Sequence, residues 1–388
     1  MNRMTAEPTL KLYTPGPVNV PNRVAVASSY VNYHHRTVSF SAVLMDMLDK
    51  IQPLFGTKNS VLPIHTTGRG ALEGVYNDLL SPEDKIICVC NGNFGQMTAG
   101  IIAKMGIPSV RCFDDWTQDV DFAVLERLIT DHGATAIVVV HGDTSNAIAN
   151  PLAEIGKLAK KYNLLFIVDA VSTIGCMPFL FDEWGVDAVV TASQKGLMSP
   201  PGLSFAVLSE KAWAANEKIA SRASYIDIRS IKKSLAKSET PGTTPVSIVL
   251  AVNEAVQMIH EEGVEQVFNR HRALSLATKQ ALETLSFPLF PLNCVTRSDS
   301  LTVAALPDCM KGGDIVSHLS KKYNILIGKG LEEYANSTIR IAHMGSCSLS
   351  DMLLCITALE ATLYDLGYVE SIGRGTQSFL NRYNELTK

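Results

Sequence analysis

The sequence predicts an α/β protein whose central sheet is mostly parallel and is covered by helices on both faces. Six short apolar runs alternate along the chain with segments in which apolar residues recur at helical spacing. Several runs are too apolar to form strands with one face in water, which is typical of a parallel sheet between two helical layers. With 388 residues, of which 46% are hydrophobic and 19% charged, the chain is long enough to form two domains.

The predicted strands and helices follow one another through the first half of the chain, at a spacing typical of crossover units. Each helical segment ends in Gly or Asn, as helices often do. The predicted strands cover residues 85–91, 109–113, 135–142, 164–170, 187–193 and 203–209. The predicted helices cover residues 94–106, 121–133 and 151–163.

The C-terminal third predicts a smaller α+β domain. A helical stretch from about Thr244 to Leu285 comes first. The strand-like segments 300–306 and 337–345 then flank a helical segment at 313–324. We therefore predict three parts, an N-terminal arm over 1–15, a large domain over 16–260 and a small domain over 261–388.

Composition and charge favour small-molecule chemistry. The net charge is −4, and the 34 basic and 38 acidic residues are interspersed, so we expect neither a nucleic-acid nor a lipid partner. No apolar stretch approaches the length of a membrane span or of a signal-peptide core, which predicts a cytoplasmic protein. The eight cysteines lack paired CxxC spacing and the histidines lack metal-ligand spacing, so no metal site is predicted.

Side chains with a common chemical use follow the carboxyl ends of the predicted strands, where open α/β sheets bind ligands. Phe94 follows the first strand, Thr144 the third and Lys195 the fifth, and Asp169 lies at the end of the fourth. Pyridoxal phosphate requires a lysine for its Schiff base and an acidic partner for its ring nitrogen. An aromatic ring can stack on the cofactor, and a hydroxyl can hydrogen-bond its ring oxygen. These residues predict a pyridoxal phosphate site.

The segment HTTGRGALEGVYNDLL, residues 65–80, predicts the place of the phosphate. Its TTGRG turn would open a helix from Ala71 onward, with exposed amides and no side chain at Gly68 to obstruct a close approach. Taken alone the turn is weak evidence, because glycines mark any tight turn.

Each of these residues also has an ordinary structural interpretation. Lys195 can be a structural lysine beside the SPPG turn, and Asp169 can cap a helix after a strand. Phe94 can be a core residue, and Thr67 and Thr144 can be turn hydroxyls. The spacing of Asp169 and Lys195 favours the cofactor.

Eight segments, in order from near residue 13 to near residue 345, resemble those of class V aminotransferases. This family belongs to the fold type I superfamily of pyridoxal-phosphate enzymes, and the resemblance is to the branch of alanine- and serine-glyoxylate aminotransferases. The most specific part is SQKGLMSPPG with VDAVS 26 residues upstream. The segments are YTPGPVNVP, TTGRGALEG, NGNFGQ, HGDTSNAI, VDAVSTIG, SQKGLMSPPG, PGTTPVS and IRIAHMG.

The resemblance implies roles around the cofactor ring. Lys195 would form the Schiff base with the cofactor aldehyde, and Asp169 would pair with the pyridinium nitrogen. Phe94 would stack on the ring, and Thr144 would lie near the ring oxygen. We therefore expect Lys195 and Asp169 to be the catalytic residues.

The resemblance also implies a phosphate site and a substrate site. Gly16 and Arg340 would bind the substrate, with the planar guanidinium of the arginine on the substrate carboxylate. The alternation in STIRIAH leaves open that Arg340 is a solvated strand arginine. Thr243 would reach the phosphate from a partner subunit, which implies a homodimer with shared active sites. The phosphate ligands from the same chain would be Thr67, Gly68, Arg69 and Gln194.

The expected reaction is transamination of a small amino acid, of alanine or serine type, with glyoxylate or pyruvate. Arg36 and Arg69 leave open a donor with a second acidic group, such as aspartate or 2-aminoethylphosphonate. A pyridoxal-phosphate lyase or cysteine desulfurase is a further alternative, for which Cys347 is the only cysteine in an obviously polar loop. A non-catalytic nucleotide-binding α/β protein is an alternative from another class, although the sequence lacks a GxGxxG turn after the first strand.

Overall fold

The computed structural model describes residues 10–30, 33–220, 223–294 and 296–388, and these residues form two β-sheets. One sheet has seven strands and the other has four. The strands are β1 (Lys11–Tyr13), β2 (Val61–Ile64), β3 (Ile86–Val89), β4 (Ser109–Cys112), β5 (Ala136–Val140), β6 (Leu165–Asp169), β7 (Ala188–Ala192), β8 (Ser204–Leu208), β9 (Leu301–Ala305), β10 (Ile325–Lys329) and β11 (Thr338–Ala342).

Helices separate most of these strands, as the spacing of the apolar runs predicts. None of the helices in the described part of the chain combines the length and the apolar character that crossing a membrane requires. The helices are α1 (Asn22–Ser28), α2 (Val38–Ile51), α3 (Gly68–Leu79), α4 (Asn93–Lys104), α5 (Phe122–His132), α6 (Leu152–Lys161), α7 (Glu210–Glu217), α8 (Ile228–Leu235), α9 (Val246–Glu262), α10 (Val264–Thr284), α11 (Gly312–Tyr323), α12 (Leu349–Asp365) and α13 (Arg374–Leu386).

The seven-stranded sheet confirms the predicted α/β class. Its order is β2-β8-β7-β6-β5-β3-β4, and the five strands from β7 to β4 are parallel. Strand β8 is antiparallel to both β7 and β2. The six predicted runs correspond to β3 through β8. Strand β2 was not predicted, because it contains Pro63; a proline is tolerated here because β2 lies at the edge of the sheet.

The strands of this sheet bury both of their faces. In β5, Ile137 and Val139 belong to one apolar cluster, whereas Ala136 and Val138 belong to the cluster on the opposite side. Successive side chains of a strand point to opposite faces, so the alternation shows helices packed on both sides. The prediction of a doubly covered sheet is therefore confirmed.

Helix α3 begins at Gly68, three residues before the predicted start at Ala71. Glycines favour turns over helices, so the sequence indicated a longer turn. Gly68 packs closely against Val171, where an added Cβ would lie 2.8 Å from a Val171 methyl carbon. This close packing brings the first turn of α3 to the end of the β6 strand.

The four-stranded sheet has the order β1-β10-β11-β9. Strands β9 and β11 and helix α11 correspond to the predicted elements of the smaller domain, and α9 and α10 to the predicted helical stretch. Strand β1 pairs in parallel with β10, so the N-terminal segment joins this sheet. The domain boundaries at 15/16 and 260/261 stay a prediction.

Candidate active site

A cavity of about 280 Å³ lies at the carboxyl ends of β5, β6 and β7. Most of the residues singled out in the sequence meet here, because parallel strands bring their carboxyl ends to one edge. Arg340 and Thr243 are not among the residues that line it. The predicted residues that do line it are Gly16, Thr67, Gly68, Arg69, Phe94, Thr144, Asp169, Gln194 and Lys195.

Lys195 lies in the turn that follows β7. The turn is closed by backbone hydrogen bonds, from Ser199 N to Ser193 O (2.9 Å) and from Met198 N to Lys195 O (2.9 Å). The Lys195 amine donates to the carbonyl of Pro15. Desolvation lowers the pKa of this amine to about 8, and the nearby charge of Asp169 opposes that shift. The neutral amine is therefore far more abundant near neutral pH than it would be for a solvated lysine.

Gly16 leaves room for the lysine side chain. A Cβ at this position would lie 2.6 Å from Lys195 Cε, and the backbone has a φ of +108°, which favours glycine. The segment around Gly16 is also tied to the lysine turn, since Val18 N donates to Gln194 O at 3.3 Å. The N-terminal segment thus covers Lys195.

Asp169 is the last residue of β6, and it is 5% exposed. Its Oδ1 accepts a hydrogen bond from Val171 N at 2.9 Å. Burial raises the pKa of this carboxyl to about 6; the Val171 hydrogen bond and the Lys195 charge lower it, whereas Asp143 raises it. The group is therefore a buried carboxylate at neutral pH, and it would be stabilised by a cationic partner.

Asp143, which the sequence analysis did not single out, holds a cavity residue in place. Its carboxylate accepts hydrogen bonds from Phe94 N (2.9 Å) and Gly95 N (3.1 Å), which satisfies free amides at the start of α4. Ser145 donates to the same carboxylate through its N and Oγ. These bonds fix Phe94 at the cavity wall. The signal in the sequence was an aspartate directly after a strand, a residue type that often caps a neighbouring helix.

The residues predicted around the phosphate leave hydrogen-bonding groups unsatisfied. Helix α3 starts after Thr67, whose side chain makes no capping hydrogen bond. Gln194 Oε1 is buried and has no hydrogen-bond partner in the described part of the chain. The uncapped amides at the N-terminus of α3 are donors of the kind that a phosphate requires. Gln194 Oε1 is an acceptor, so only the NH2 group of the same side chain could donate to a phosphate.

Arg340 connects the small sheet to the cavity wall. It lies in β11 between β9 and β10, and its Nε donates to Lys329 O at 2.7 Å. Its Nη1 donates to the carbonyl of Thr144, a cavity residue, at 3.0 Å. Desolvation lowers the pKa of Arg340 to about 10, and its charge in turn lowers the pKa of Lys195. Arg340 is therefore not a freely solvated strand arginine.

The two remaining predicted residues differ in position. Arg69 lines the cavity with an exposed side chain, and its Nε lies 3.1 Å from Met97 Sδ. Thr243 is exposed and does not line the cavity of its own chain. The sequence analysis did not single out several of the residues that line the cavity, because their residue types are typical of core or turn positions. These are Pro17, Leu72, Met97, Val140, Gly142, Val171, Ser172 and Pro201.

The described residues include no group of three or more His, Cys, Asp or Glu side chains that could hold a metal ion.

Comparison with known proteins places the chain among aminotransferases. The aminotransferase class-V family matches residues 22–350. A Synechococcus protein named soluble hydrogenase, small subunit, is 34% identical over 92% of this chain and 94% of that protein. The L-aspartate–glyoxylate aminotransferase of Paracoccus denitrificans is 30% identical over 97% of this chain and 96% of its own length.

The fold is also that of a solved aminotransferase. The crystal structure of ureidoglycine-glyoxylate aminotransferase from Bacillus subtilis covers 98% of this chain and 100% of its own, with 27% identity and a TM-score of 0.91. The family match spans most of the sequence and includes Lys195, Asp169 and Arg340. The chain belongs to the class V aminotransferase family.

Proposed function

We propose that this aminotransferase exchanges the amino group of a small amino acid, of alanine or serine type, with glyoxylate or pyruvate at the cavity around Lys195. The family to which the chain belongs uses pyridoxal phosphate. One observation carries the assignment to this cavity. A lysine amine with a pKa of about 8 and the buried carboxylate of Asp169 lie at the ends of adjacent parallel strands.

The residues at the cavity fit the cofactor. Lys195 supplies the amine for covalent attachment, and Asp169 supplies the negative charge that a protonated ring nitrogen needs. The uncapped start of α3 would donate backbone N–H groups to the phosphate, and the Gln194 side chain at the same cavity would donate through its NH2 group. Phe94 provides an aromatic face for the ring.

Different side chains at the cavity have different roles in the proposed reaction. When bound, pyridoxal phosphate supplies an electron sink for the charge that develops at the substrate Cα. Lys195 Nζ accepts the Cα proton, a task for which its lowered pKa suits it. Arg340 binds the substrate carboxylate and holds Cα near this amine. Leu72 and Phe94 give the cavity an apolar wall that excludes water.

Replacing Arg340 with glutamine is expected to raise the KM for the amino acid by about 10- to 100-fold, because a charge-assisted hydrogen bond to the carboxylate is lost. The fall in kcat should be smaller. Steady-state kinetics with varied donor concentration measures both constants. Arg297→Gln is the matched control, since Arg297 also donates to backbone carbonyls, those of Phe290 and Pro291, but lies away from the cavity. Equal KM changes in the two variants would contradict the assignment.

The position of Arg69 supports a second candidate donor. Its guanidinium is exposed at the cavity and pairs with no carboxylate among the described residues. An arginine in this position can bind a second acidic group, so aspartate or an aminophosphonate is the alternative substrate. The two solved or curated aminotransferases compared above share glyoxylate in their names but differ in the donor.

A half-reaction panel separates the two donor classes. The loss of the visible absorption of the bound cofactor is followed after the enzyme is mixed with alanine, serine, aspartate or 2-aminoethylphosphonate. We expect alanine and serine to react fastest in both the wild type and Arg69→Gln. A faster rate with an acidic donor that falls about tenfold in Arg69→Gln would instead establish the second donor class.

The desulfurase alternative finds no support at Cys347. This residue does not line the cavity, and burial raises the pKa of its thiol to about 12. The thiolate is the nucleophile in cysteine chemistry, so a thiol that stays protonated is poorly suited to sulfur transfer.

We further propose that two copies of the chain form a homodimer in the cytoplasm. The exposed position of Thr243 supports a role in the site of a partner copy. All eight cysteines are free, which supports a reducing compartment.

A further inference from the structure

Arg36 joins two segments that are distant in sequence. Its Nη1 donates to Glu239 Oε2 (2.7 Å) and to the carbonyl of Thr240 (3.0 Å), and its Nη2 donates to the carbonyl of Gly242 (2.9 Å). These three acceptors lie immediately before Thr243 in the chain. A single guanidinium therefore holds the 239–242 loop.

Arg36 is itself firmly placed. It lies directly before α2, whose first turn is capped by Thr37 through a hydrogen bond from Phe40 N to Thr37 Oγ1 (3.3 Å). The Thr37 hydroxyl also donates to the carbonyl of His34 at 2.9 Å. Helix α2 packs on α9 through the same buried core, and α9 starts just after the loop. The hydrogen bonds of Arg36 to the 239–242 loop, called the Arg36 clamp below, thus connect two helices that already contact each other.

The loop is also fixed from within. Thr240 Oγ1 and Thr244 Oγ1 are buried and 2.5 Å apart, so a hydrogen bond joins the residues that precede and follow the Gly242–Thr243 turn. Gly242 has a φ of +68°, which favours glycine and sets the shape of the turn. Thr243 remains exposed on this rigid turn. Because the loop is already ordered, a ligand that binds the Thr243 hydroxyl does not have to offset the loss of loop conformational entropy.

We propose that Arg36 is a positioning residue that holds Thr243 for the active site of a second copy of this chain. This inference rests on the proposed function, in which Thr243 contributes to the phosphate site of the partner. Arginine suits the task because its planar fork can reach a carboxylate and two carbonyls at once, which a lysine ammonium on its flexible stem does not do equally well. Arg36 acts through the loop and does not line the cavity of its own chain.

The first test measures cofactor retention by the purified holoenzyme. Arg36→Gln and Arg36→Lys are expected to release pyridoxal phosphate about tenfold faster than the wild type after free cofactor is removed, because the phosphate loses a well-placed hydrogen bond. Absorbance of the retained cofactor gives the rate, and gel filtration gives the oligomeric state, which should not change. Arg23→Gln is the control, because Arg23 is likewise an exposed arginine that joins distant segments, through Glu254 and Glu261, but it does not donate to the loop.

The second test determines whether the Arg36 clamp holds the loop for the active site of its own chain or for that of its partner. Differently tagged Lys195→Ala and Arg36→Gln chains are co-expressed, and the mixed dimers are purified. One site of each mixed dimer combines an intact Lys195 with a loop held by the intact Arg36 of the other chain. About half of the wild-type activity should therefore survive removal of free cofactor, since one of two equivalent sites is complete.

The outcomes are distinct. Wild-type cofactor retention in both Arg36 variants would overturn the inference, as would variants that lose retention only because they become monomers. A mixed dimer as defective as Arg36→Gln alone would show that the clamp serves its own chain, which also overturns it. A wild-type chain fully active as a monomer overturns it but leaves transamination at Lys195 standing. The proposed function fails separately, if Lys195→Ala retains turnover.

Discussion

Replacing Lys195 with alanine is expected to lower kcat by about 10⁴-fold or more, because the variant loses both the covalent attachment of the cofactor and the base that accepts the Cα proton. The amine is prepared for both tasks. Desolvation lowers its pKa to about 8, and Gly16 leaves space beside its side chain. The Pro15 carbonyl that it contacts is a neutral acceptor, so desolvation outweighs the opposing charge of Asp169.

Reduction with borohydride followed by peptide mapping provides the direct measurement. The wild-type protein should carry the cofactor label on the peptide that contains residues 191–202, and the Lys195→Ala variant should carry none. Lys211→Ala is the matched control, since Lys211 Nζ also donates to a backbone carbonyl, that of Leu164 at 2.6 Å, but lies outside the cavity. A label on another lysine, or full turnover in Lys195→Ala, would exclude the proposed chemistry.

The parts of the fold that the sequence predicted are those in which local pattern and burial agree. The run around β5 is apolar at every position because both faces of the strand are buried, so it could be recognised without knowledge of its neighbours. Strand β2 contains a proline that only its edge position makes acceptable, and that position is a property of the sheet. Strand β10 begins directly after the predicted helical segment 313–324 and was not predicted, because its five residues include Gly328 and Lys329, types that are uncommon in strands.

The same distinction applies to the site. Lys195, Asp169, Phe94 and Thr144 could be predicted to lie together because each is at or just after the carboxyl end of a predicted strand, and the topology brings these ends together. Contacts between distant segments could not be predicted. The sequence placed Arg340 on one side of a strand, but its hydrogen bond to the Thr144 carbonyl depends on how the two sheets pack. Periodicity carries no information about such pairs.

Asp169→Asn is the variant expected to have the second largest effect, a fall in kcat of about 10²–10³-fold, with little change in the KM of the amino acid. The amide has nearly the shape of the carboxylate, and its oxygen can still accept the hydrogen bond from Val171 N. It lacks the negative charge that in the proposed site would keep the cofactor ring nitrogen protonated, so the electron sink should weaken while binding of the substrate carboxylate at Arg340 should persist.

The measurement that isolates this charge effect combines kinetics with cofactor attachment. The Asp169→Asn protein should still carry the borohydride label on Lys195, while the rate of its half-reaction falls. Asp187→Asn is the control, because Asp187 is also a buried aspartate that accepts a backbone hydrogen bond, from Phe166 N at 3.0 Å, but it does not line the cavity. A normal half-reaction rate in Asp169→Asn would mean that the buried carboxylate is only a structural cap. An equal loss of rate in Asp187→Asn would mean that burial of any uncompensated amide, rather than the charge at 169, slows the reaction.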